Sequence, residues 1–235
     1  MNTSEDDGSV EPTAPTAARG IPPRVWQLDT ASLSDANKAL RSLPAALRPY
    51  TRGIRMVGRA VTVTAFDDLM PVLAALEQCS AGDILVVDAG TTEHAVLGEL
   101  FATEAIRREM SGIVVYGLCR DTATLARLPI PIYALGTTPR AAVAMRPPAI
   151  QQPIQIGGVD VRPGEILIGD DDGIVVVNDA ELDGAVEAAE AIQRREGAIR
   201  SAIEDGRSLF EQLNFAEHAE NLQAGHPSSL TFRAQ

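Results

Sequence analysis

The fold is decided by the stretch Gly98-Glu-Leu-Phe-Ala-Thr-Glu-Ala-Ile-Arg-Arg-Glu-Met-Ser-Gly-Ile-Val-Val-Tyr-Gly-Leu-Cys-Arg-Asp121. This pattern predicts a glycine turn that opens a helix, then a buried strand, then a loop that carries an Arg-Asp pair. The unpaired N–H groups and the positive dipole end of a free helix N-terminus can hold a carboxylate. Because pockets of α/β sheets form beyond the carboxyl ends of strands, Arg120 and Asp121 are expected in such a pocket.

Arg120 and Asp121 supply complementary chemistry at this strand end. Arginine offers a forked donor for a carboxylate or keto oxygen, and aspartate is a hard ligand for a divalent cation. The stretch therefore predicts a site for a small anionic substrate and a metal. Structural roles remain open for each residue alone, since Glu99 could complement the helix dipole and Arg120–Asp121 could be a surface pair.

The sequence around this stretch alternates between strand and helix patterns, which is typical of a layered α/β fold. Strands are predicted at 58–65, 84–88, 113–116 and 129–135, and helices at 28–43, 69–79 and 122–127, besides the helix that opens at Gly98. From residue 151 the chain becomes β-rich, with a hairpin around Gly157-Gly158 and strands at 165–168 and 174–177. These patterns predict one α/β domain with a β-rich flank.

Asn178 is expected to cap a long helix that runs from Asp179 to about Asp205. Glu196 lies on the apolar stripe of this helix, where a carboxylate is costly unless it is paired, bound to a metal or at the edge of an interface. A residue at the edge of the stripe that extends to solvent is the alternative. The predicted boundaries are a disordered tail at 1–23, the domain at 24–207, and a helical, partly ordered tail at 208–235.

Composition excludes several classes of function. The net charge is −12 and aromatic residues make up 4% of the chain, so nucleic acid is a poor partner. No signal-like segment and no run of about 18 apolar residues occurs, which predicts a cytoplasmic protein without a membrane span. Lys38 is the only lysine among 20 basic residues, so a metal is favoured over Schiff-base chemistry for a carbonyl substrate.

Other reactive residues carry weaker signals. Cys79 and Cys119 lack CxxC spacing and are expected to be free thiols. Cys119 beside Arg120 is either a thiol of lowered pKa or a small apolar residue next to the pocket. The histidines have no metal or triad spacing, and His94 is expected in a loop near the pocket. The acidic run 170–172 predicts a solvated turn.

Three segments resemble one known family: Gly98-Glu-Leu-Phe-Ala, Val114-Val-Tyr-Gly-Leu-Cys-Arg-Asp121 and Gly169-Asp-Asp-Asp-Gly-Ile-Val-Val-Val177. They are similar to the 4-hydroxy-4-methyl-2-oxoglutarate aldolases, a family that includes proteins named for the regulator of ribonuclease activity A. The resemblance covers roughly residues 28–205. The family shares a pattern in which an acidic residue is followed by twenty residues and then by Arg-Asp. In this chain the acidic residue is Glu99, where the family usually has aspartate.

This resemblance implies a swivelling β/β/α-type sandwich, assembled as a homotrimer or homohexamer with sites between subunits. It also implies a Mg²⁺- or Mn²⁺-dependent class II pyruvate aldolase. Asp121 is expected to bind the metal directly, and Glu99 and a neighbouring subunit's Glu196 to bind it through water. Arg120 is expected to contact the keto oxygen, and the Gly98 turn with the amides of Leu100 and Phe101 to hold the substrate carboxylate.

The expected activity is cleavage of a 4-hydroxy-2-keto diacid to pyruvate, with oxaloacetate decarboxylation through the same enolate. The expected catalytic residues are Arg120, Glu99 and Glu196, and the expected partner is a small 2-keto acid. Two alternatives remain: a non-catalytic regulator that binds a ribonuclease, and a related lyase with another keto-acid substrate.

Overall fold

A computed structural model of the protein describes residues 19–233, which form a mixed α/β arrangement. Residues 1–18 of the expected N-terminal tail lie outside the described residues. The strands are β1 Arg41–Ser42, β2 Arg48–Pro49, β3 Met56–Thr64, β4 Asp83–Asp88, β5 Ala95–Leu97, β6 Gly112–Cys119, β7 Ile132–Thr137, β8 Ile154–Ile156, β9 Val159–Val161, β10 Ile166–Asp170 and β11 Gly173–Val177. The helices are α1 Thr30–Ala36, α2 Met70–Gln78, α3 Glu99–Arg107, α4 Thr122–Leu125, α5 Asp179–Glu204 and α6 Phe215–Gln223, with 3-10 helices at Pro23–Gln27 and Leu209–Gln212.

The main sheet has nine strands, and its spatial order is β1-β11-β10-β3-β4-β6-β7-β2, with β5 paired to β6. Strands β3, β4, β6 and β7 are parallel to their neighbours in this group, and β5 is parallel to β6. Their carboxyl ends therefore meet at one edge of the sheet. The loops that follow β3, β5, β6 and β7 emerge at this edge, where α/β proteins commonly bind ligands.

The β-rich part of the chain belongs to this same sheet. Strand β10 pairs antiparallel with both β3 and β11, although more than a hundred residues separate β10 from β3 in sequence. Only β8 and β9 form a separate two-stranded sheet among the described residues. Their connection is the predicted Gly157-Gly158 turn, with φ of +56° and +88°, a conformation that glycine adopts without strain.

The sheet is curled, with helices on its outer face. On that face, β4 and β6 pack against α2 and α3 in one apolar cluster, and β10 and β11 pack against α1 and α5 in a second. On the inner face, side chains of β4, β6 and β7 meet those of β10 and β11 and of the β8–β9 hairpin. The interior is thus closed by the sheet and hairpin themselves.

Helix α5 begins where its sequence predicted. The side chain of Asn178 accepts a hydrogen bond from the backbone N–H of Glu181, and the Glu181 side chain accepts one from the backbone N–H of Asn178. This reciprocal capping box satisfies N–H groups that helix starts otherwise leave unpaired. The stripe is buried through Ala189 and again at Ile199, but Ile203 is 42% exposed.

Among the elements that differ in extent from their predictions, two have a clear local cause. The helix expected over 28–43 is confined to α1, because Asn37 has extended backbone angles and the following residues enter β1. The strand expected over 129–135 begins only at Ile132, since Pro129 and Pro131 have no N–H to donate to a sheet. Among the described helices, none combines the length and the apolar character needed to cross a membrane.

Candidate active site

A small cleft lies at the carboxyl ends of the parallel strands. Its cavity volume is about 50 Å³, which exceeds the roughly 10–15 Å³ that one water requires. It therefore has room for more than one water. The cleft is lined by Leu69, Ala95, Val96, Leu97, Gly98, Leu100, Phe101, Arg120, Asp121 and Ala141. Five of the predicted site residues, Gly98, Leu100, Phe101, Arg120 and Asp121, are thus brought together.

The Asp121 carboxylate lies directly against the start of α3. The backbone N–H of Glu99 donates to Asp121 Oδ2 at 3.1 Å. A Cβ atom placed on Gly98 would lie 2.6 Å from the same oxygen, so only glycine allows this approach. The glycine turn in the sequence is therefore a requirement of the contact between α3 and the Arg-Asp loop.

Backbone pairing brings the Arg-Asp loop to this position. Strand β5 runs beside the end of β6, and the backbone N–H of Arg120 donates to the Leu97 carbonyl at 3.0 Å. Asp121 then adopts left-handed backbone angles, with φ of +59° and ψ of +35°. Such angles are uncommon outside glycine and are concentrated at functional sites. The conformation turns the chain sharply from β6 into α4.

The two side chains of the pair remain accessible in the cleft. Arg120 Nε lies 3.7 Å from Asp121 Oδ2, and the side chains are 43% and 36% exposed. An exposed pair at this distance is weak. The guanidinium can therefore turn to an anionic ligand without a large loss of stability.

The first turn of α3 also offers donors. Glu99 gives its N–H to Asp121, whereas no acceptor within residues 19–233 receives the N–H of Leu100 or Phe101. Both residues line the cleft, and the positive end of the helix dipole favours an anion there. This arrangement suits the carboxylate of a small acid.

A magnesium or manganese ion fits the donors that this chain presents. Asp121 Oδ2 is occupied by the Glu99 amide, but within the described part of the chain no hydrogen bond reaches Oδ1. Magnesium commonly binds through one or two carboxylates and keeps several waters. No group of three or more His, Cys, Asp or Glu residues suited to a metal occurs among residues 19–233. Within residues 19–233, the one carboxylate that the cleft offers to a cation is that of Asp121.

Glu196 does not line the cleft of its own chain. It is half-buried on α5, which packs with α1 against strands β10 and β11. The cleft lies beside the other cluster of the outer face, with α2 and α3. A contribution of Glu196 to the site from a second copy of the chain stays a prediction.

Asp68 is a structural residue of the site that the sequence pattern did not single out. Its buried carboxylate accepts hydrogen bonds from the backbone N–H groups of Met70, Met145 and Arg146. Burial by itself raises the pKa of the Asp68 carboxyl, but these N–H groups hold its pKa below the usual value. The loop that carries Ala141 is thereby attached to the start of α2. In the sequence, Asp68 was recognisable only as an acidic residue directly before a predicted helix.

The weaker sequence signals resolve into structural roles. Cys119 is buried, and burial raises the pKa of its thiol to about 11, which matches a small apolar residue and not an activated thiol. His94 lies in the loop before β5, with Nδ1 3.0 Å from Asp67 Oδ1.

In the acidic run, Asp171 and Asp172 form the exposed β10–β11 turn. Asp170 binds both the N–H and the hydroxyl of Thr30 at the start of α1.

The RraA-like family model, described as Aldolase/RraA, matches residues 30–176. A 4-hydroxy-4-methyl-2-oxoglutarate aldolase of Thermus thermophilus is 34% identical over 149 residues, which are 63% of this chain and 91% of that protein. A Halalkalibacterium halodurans protein, provisionally named for the same aldolase, is 33% identical over 180 residues, or 76% of this chain and 86% of that protein.

A solved structure from Streptomyces coelicolor is described as an unusual member of the RNase ES inhibitor RraA protein family. It superposes with a TM-score of 0.68 at 30% identity, and the match covers 75% of this chain and 93% of that one. The matched regions include β1 to β11, the cleft and the Arg-Asp loop. The chain belongs to the RraA-like family of aldolases and RraA proteins.

Proposed function

We propose that this protein is a Mg²⁺- or Mn²⁺-dependent carbon–carbon lyase. Its reaction is that of a class II pyruvate aldolase, which cleaves a 4-hydroxy-2-keto diacid of the 4-hydroxy-4-methyl-2-oxoglutarate type to pyruvate. Decarboxylation of oxaloacetate is proposed as a second activity of the same site. The observation that carries the proposal is the meeting of Arg120, Asp121 and the first turn of α3 in one cleft.

The cleft has separate donors for the two oxygen-bearing groups of a 2-keto acid. The N–H groups of Leu100 and Phe101 are positioned for its carboxylate, and the Arg120 guanidinium for its keto oxygen. A donor at the keto oxygen becomes more effective as negative charge develops there during bond cleavage. Binding by these residues therefore favours the transition state over the bound substrate.

Asp121 is proposed to hold the divalent ion through Oδ1. When bound, such an ion polarises the keto group and stabilises the negative charge left by C–C cleavage. In the aldol cleavage, the carboxylates of Glu99 and of Glu196 from a second copy are proposed to receive the 4-hydroxyl proton through water. Oxaloacetate has no such hydroxyl proton, so its decarboxylation needs no base at that position. Loss of CO₂ would leave the pyruvate enolate, which takes a proton from water at C3 to give pyruvate.

The functional test measures pyruvate release coupled to lactate dehydrogenase. The substrates are 4-hydroxy-4-methyl-2-oxoglutarate and oxaloacetate, each assayed with magnesium and with EDTA. Turnover that requires magnesium supports the proposal. If neither substrate releases pyruvate above the uncatalysed rate, or if EDTA leaves the rate unchanged, the proposed activity is wrong.

A second candidate is a regulator that binds an RNA-degrading enzyme. The similarity to the Streptomyces coelicolor RraA-family protein favours it. It is tested by calorimetric titration of the full chain with purified RNase E-type enzyme, alongside the turnover assay. Binding without turnover would favour the regulator, and turnover without binding would favour the lyase.

A further inference from the structure

A diacid substrate presents a second carboxylate, which the residues assigned so far do not bind. Apart from Arg120 and Asp121, the lining residues of the cleft are apolar or glycine. We infer that Arg140 binds this distal carboxylate and thereby makes the site select 2-keto diacids over 2-keto monoacids. The inference rests on the proposed function, since it names the residue that distinguishes the substrate class of that site.

The backbone holds Arg140 beside the wall of the cleft. The N–H of Ala95 donates to the Arg140 carbonyl at 2.7 Å, and the N–H of Ala142 donates to the Ala95 carbonyl at 3.1 Å. Ala95 and the intervening Ala141 both line the cleft. The backbone of Arg140 therefore lies beside two residues of the cleft wall, at the Ala95 end of β5 and away from the Gly98 end that meets Arg120.

The Arg140 side chain is available for a ligand. It is 68% exposed, and its one ion pair among residues 19–233 joins Nη1 to Glu93 Oε2 at 3.4 Å. Glu93 is itself 82% exposed, and exposed pairs of this kind contribute little to stability. A substrate carboxylate can replace Glu93 as the partner at small cost.

The spacing of residues 95 and 98 along β5 can be compared with the length of a short diacid. Residues 95 and 98 are three positions apart in extended backbone, which corresponds to roughly 10 Å. The terminal carbons of a five-carbon diacid lie about 5 Å apart. The long arginine side chain can cover the remaining distance.

The charge of the surrounding loop favours the same assignment. Residues 138–150 contain Arg140 and Arg146 but no acidic residue. The backbone N–H of Arg146 is bound by Asp68 at the α2 side, and neither of its sequence neighbours lines the cleft. Arg140, whose neighbour Ala141 does line it, is thus the better placed of the two cations.

The experiment compares ligand pairs by isothermal titration calorimetry in magnesium, with the wild-type chain and Arg140→Gln. The probes are 2-oxoglutarate and 2-oxobutanoate, which lacks the distal carboxylate. Arg107→Gln is the matched control, because Arg107 is also 68% exposed and paired to a glutamate, but lies at the far end of α3. Arg140→Gln should raise the Kd of 2-oxoglutarate about tenfold or more and should change the Kd of 2-oxobutanoate by no more than about twofold.

The inference is overturned if Arg140→Gln leaves the Kd of 2-oxoglutarate unchanged, or if it weakens both probes equally. An equal effect of Arg107→Gln would also overturn it, since general charge would then be the cause. The pyruvate-release assay separates this result from the proposed function. If Arg140→Gln selectively weakens 2-oxoglutarate binding but the wild-type chain shows no turnover, the role of Arg140 is kept and the lyase activity is rejected. If the wild-type chain turns over substrate but Arg140→Gln causes no selective loss of binding, the lyase activity is kept and the role of Arg140 is rejected.

Discussion

Asp121 has several separate roles in the site. One carboxylate oxygen accepts from the first amide of α3, and the other is open to the cleft. Its backbone is left-handed, a conformation that asparagine and aspartate tolerate better than other non-glycine residues. Asparagine at this position therefore preserves the backbone while it removes the charge that a cation needs.

Asp121→Asn is predicted to lower kcat for magnesium-dependent pyruvate release about a thousandfold or more, because the cation loses its direct ligand. The melting temperature is expected to change little, since the amide oxygen can still accept from Glu99. Coupled assays and thermal unfolding check both parts. Near wild-type turnover with magnesium would remove Asp121 from the metal site.

Gly98→Ala tests the close approach of α3 to the Arg-Asp loop. The new Cβ would meet Asp121 Oδ2 at 2.6 Å, so the carboxylate must move. A displacement of this size is predicted to lower kcat/KM about tenfold to a hundredfold.

Gly184→Ala is the matched control for Gly98→Ala. Gly184 lies within α5, where an added Cβ meets open space, so activity should be kept and stability should rise by up to about 1 kcal/mol. If Gly98→Ala kept full activity, the tight contact at Asp121 would be unimportant for the reaction.

At the scale of elements, the site depends on how α2, β5 and the loop after β7 are joined. The Leu69 N–H donates to the Val143 carbonyl at 2.6 Å, and Asp68 binds the next turn of the same loop. Strand β5 holds the loop from its other side through Ala95. The cleft wall at Ala141 is therefore fixed by two separate attachments.

Asp68→Asn is predicted to loosen this loop, because an amide NH₂ cannot accept from the backbone N–H groups of Met145 or Arg146. The melting temperature should fall by roughly 5 °C at pH 7. The pKa of Asp68 is lowered in the folded protein, so its stabilisation is present above the unfolded-state pKa and lost as pH falls through the folded-state pKa.

The difference in urea midpoint between wild type and Asp68→Asn should accordingly shrink as the pH falls below about 4. Urea unfolding at pH 7 and at pH 3 measures this difference. A gap of equal size at both values would show that the charge of Asp68 does not stabilise the loop.

At the scale of the whole molecule, two acids proposed for one reaction lie in different regions of the chain. Asp121 is in the cleft, and Glu196 is on α5 behind β10 and β11. A site that uses both requires two copies of the chain. Homo-oligomers with closed symmetry repeat such a shared site at each interface.

Subunit mixing tests this arrangement. For cleavage of the 4-hydroxy-2-keto acid, Asp121→Asn and Glu196→Gln are each predicted to be nearly inactive alone. After co-refolding in equal amounts, a site formed by one intact Asp121 and one intact Glu196 should recur in about a quarter of interfaces. Recovery of activity to that level supports the shared site. No recovery, in oligomers that mass spectrometry shows to be mixed, would place Glu196 outside it.

Much of the fold could be predicted because its signals are local. The α5 capping box needs only Asn178 and Glu181, three residues apart, and the hairpin needs only two adjacent glycines. The Gly98 turn and the Arg-Asp pair were likewise visible along the chain, since a helix start and a strand end each have short signatures. Their placement in one cleft followed from the rule that parallel strands end at the same edge.

Long-range pairings left no comparable signal. The attachment of β10 to β3, the three-residue strand β5, and the short edge strands β1 and β2 each depend on hydrogen bonds to residues distant in sequence. Asp68 resembled an ordinary helix-start acid, and Ala141 had no feature of its own. Their roles arise from the loop that packs beside them.

The sequence by itself determined the order of the longer helices and strands, the helix start after Gly98 and the residues Arg120 and Asp121 that follow β6. These depend on backbone conformation and side-chain chemistry, which are properties of neighbouring residues. Only the tertiary structure decided that the β-rich segment completes the main sheet, that Asp121 meets the start of α3, and that the backbone of Arg140 pairs with Ala95. Those contacts join segments far apart in the chain, and packing of the whole sheet selects them.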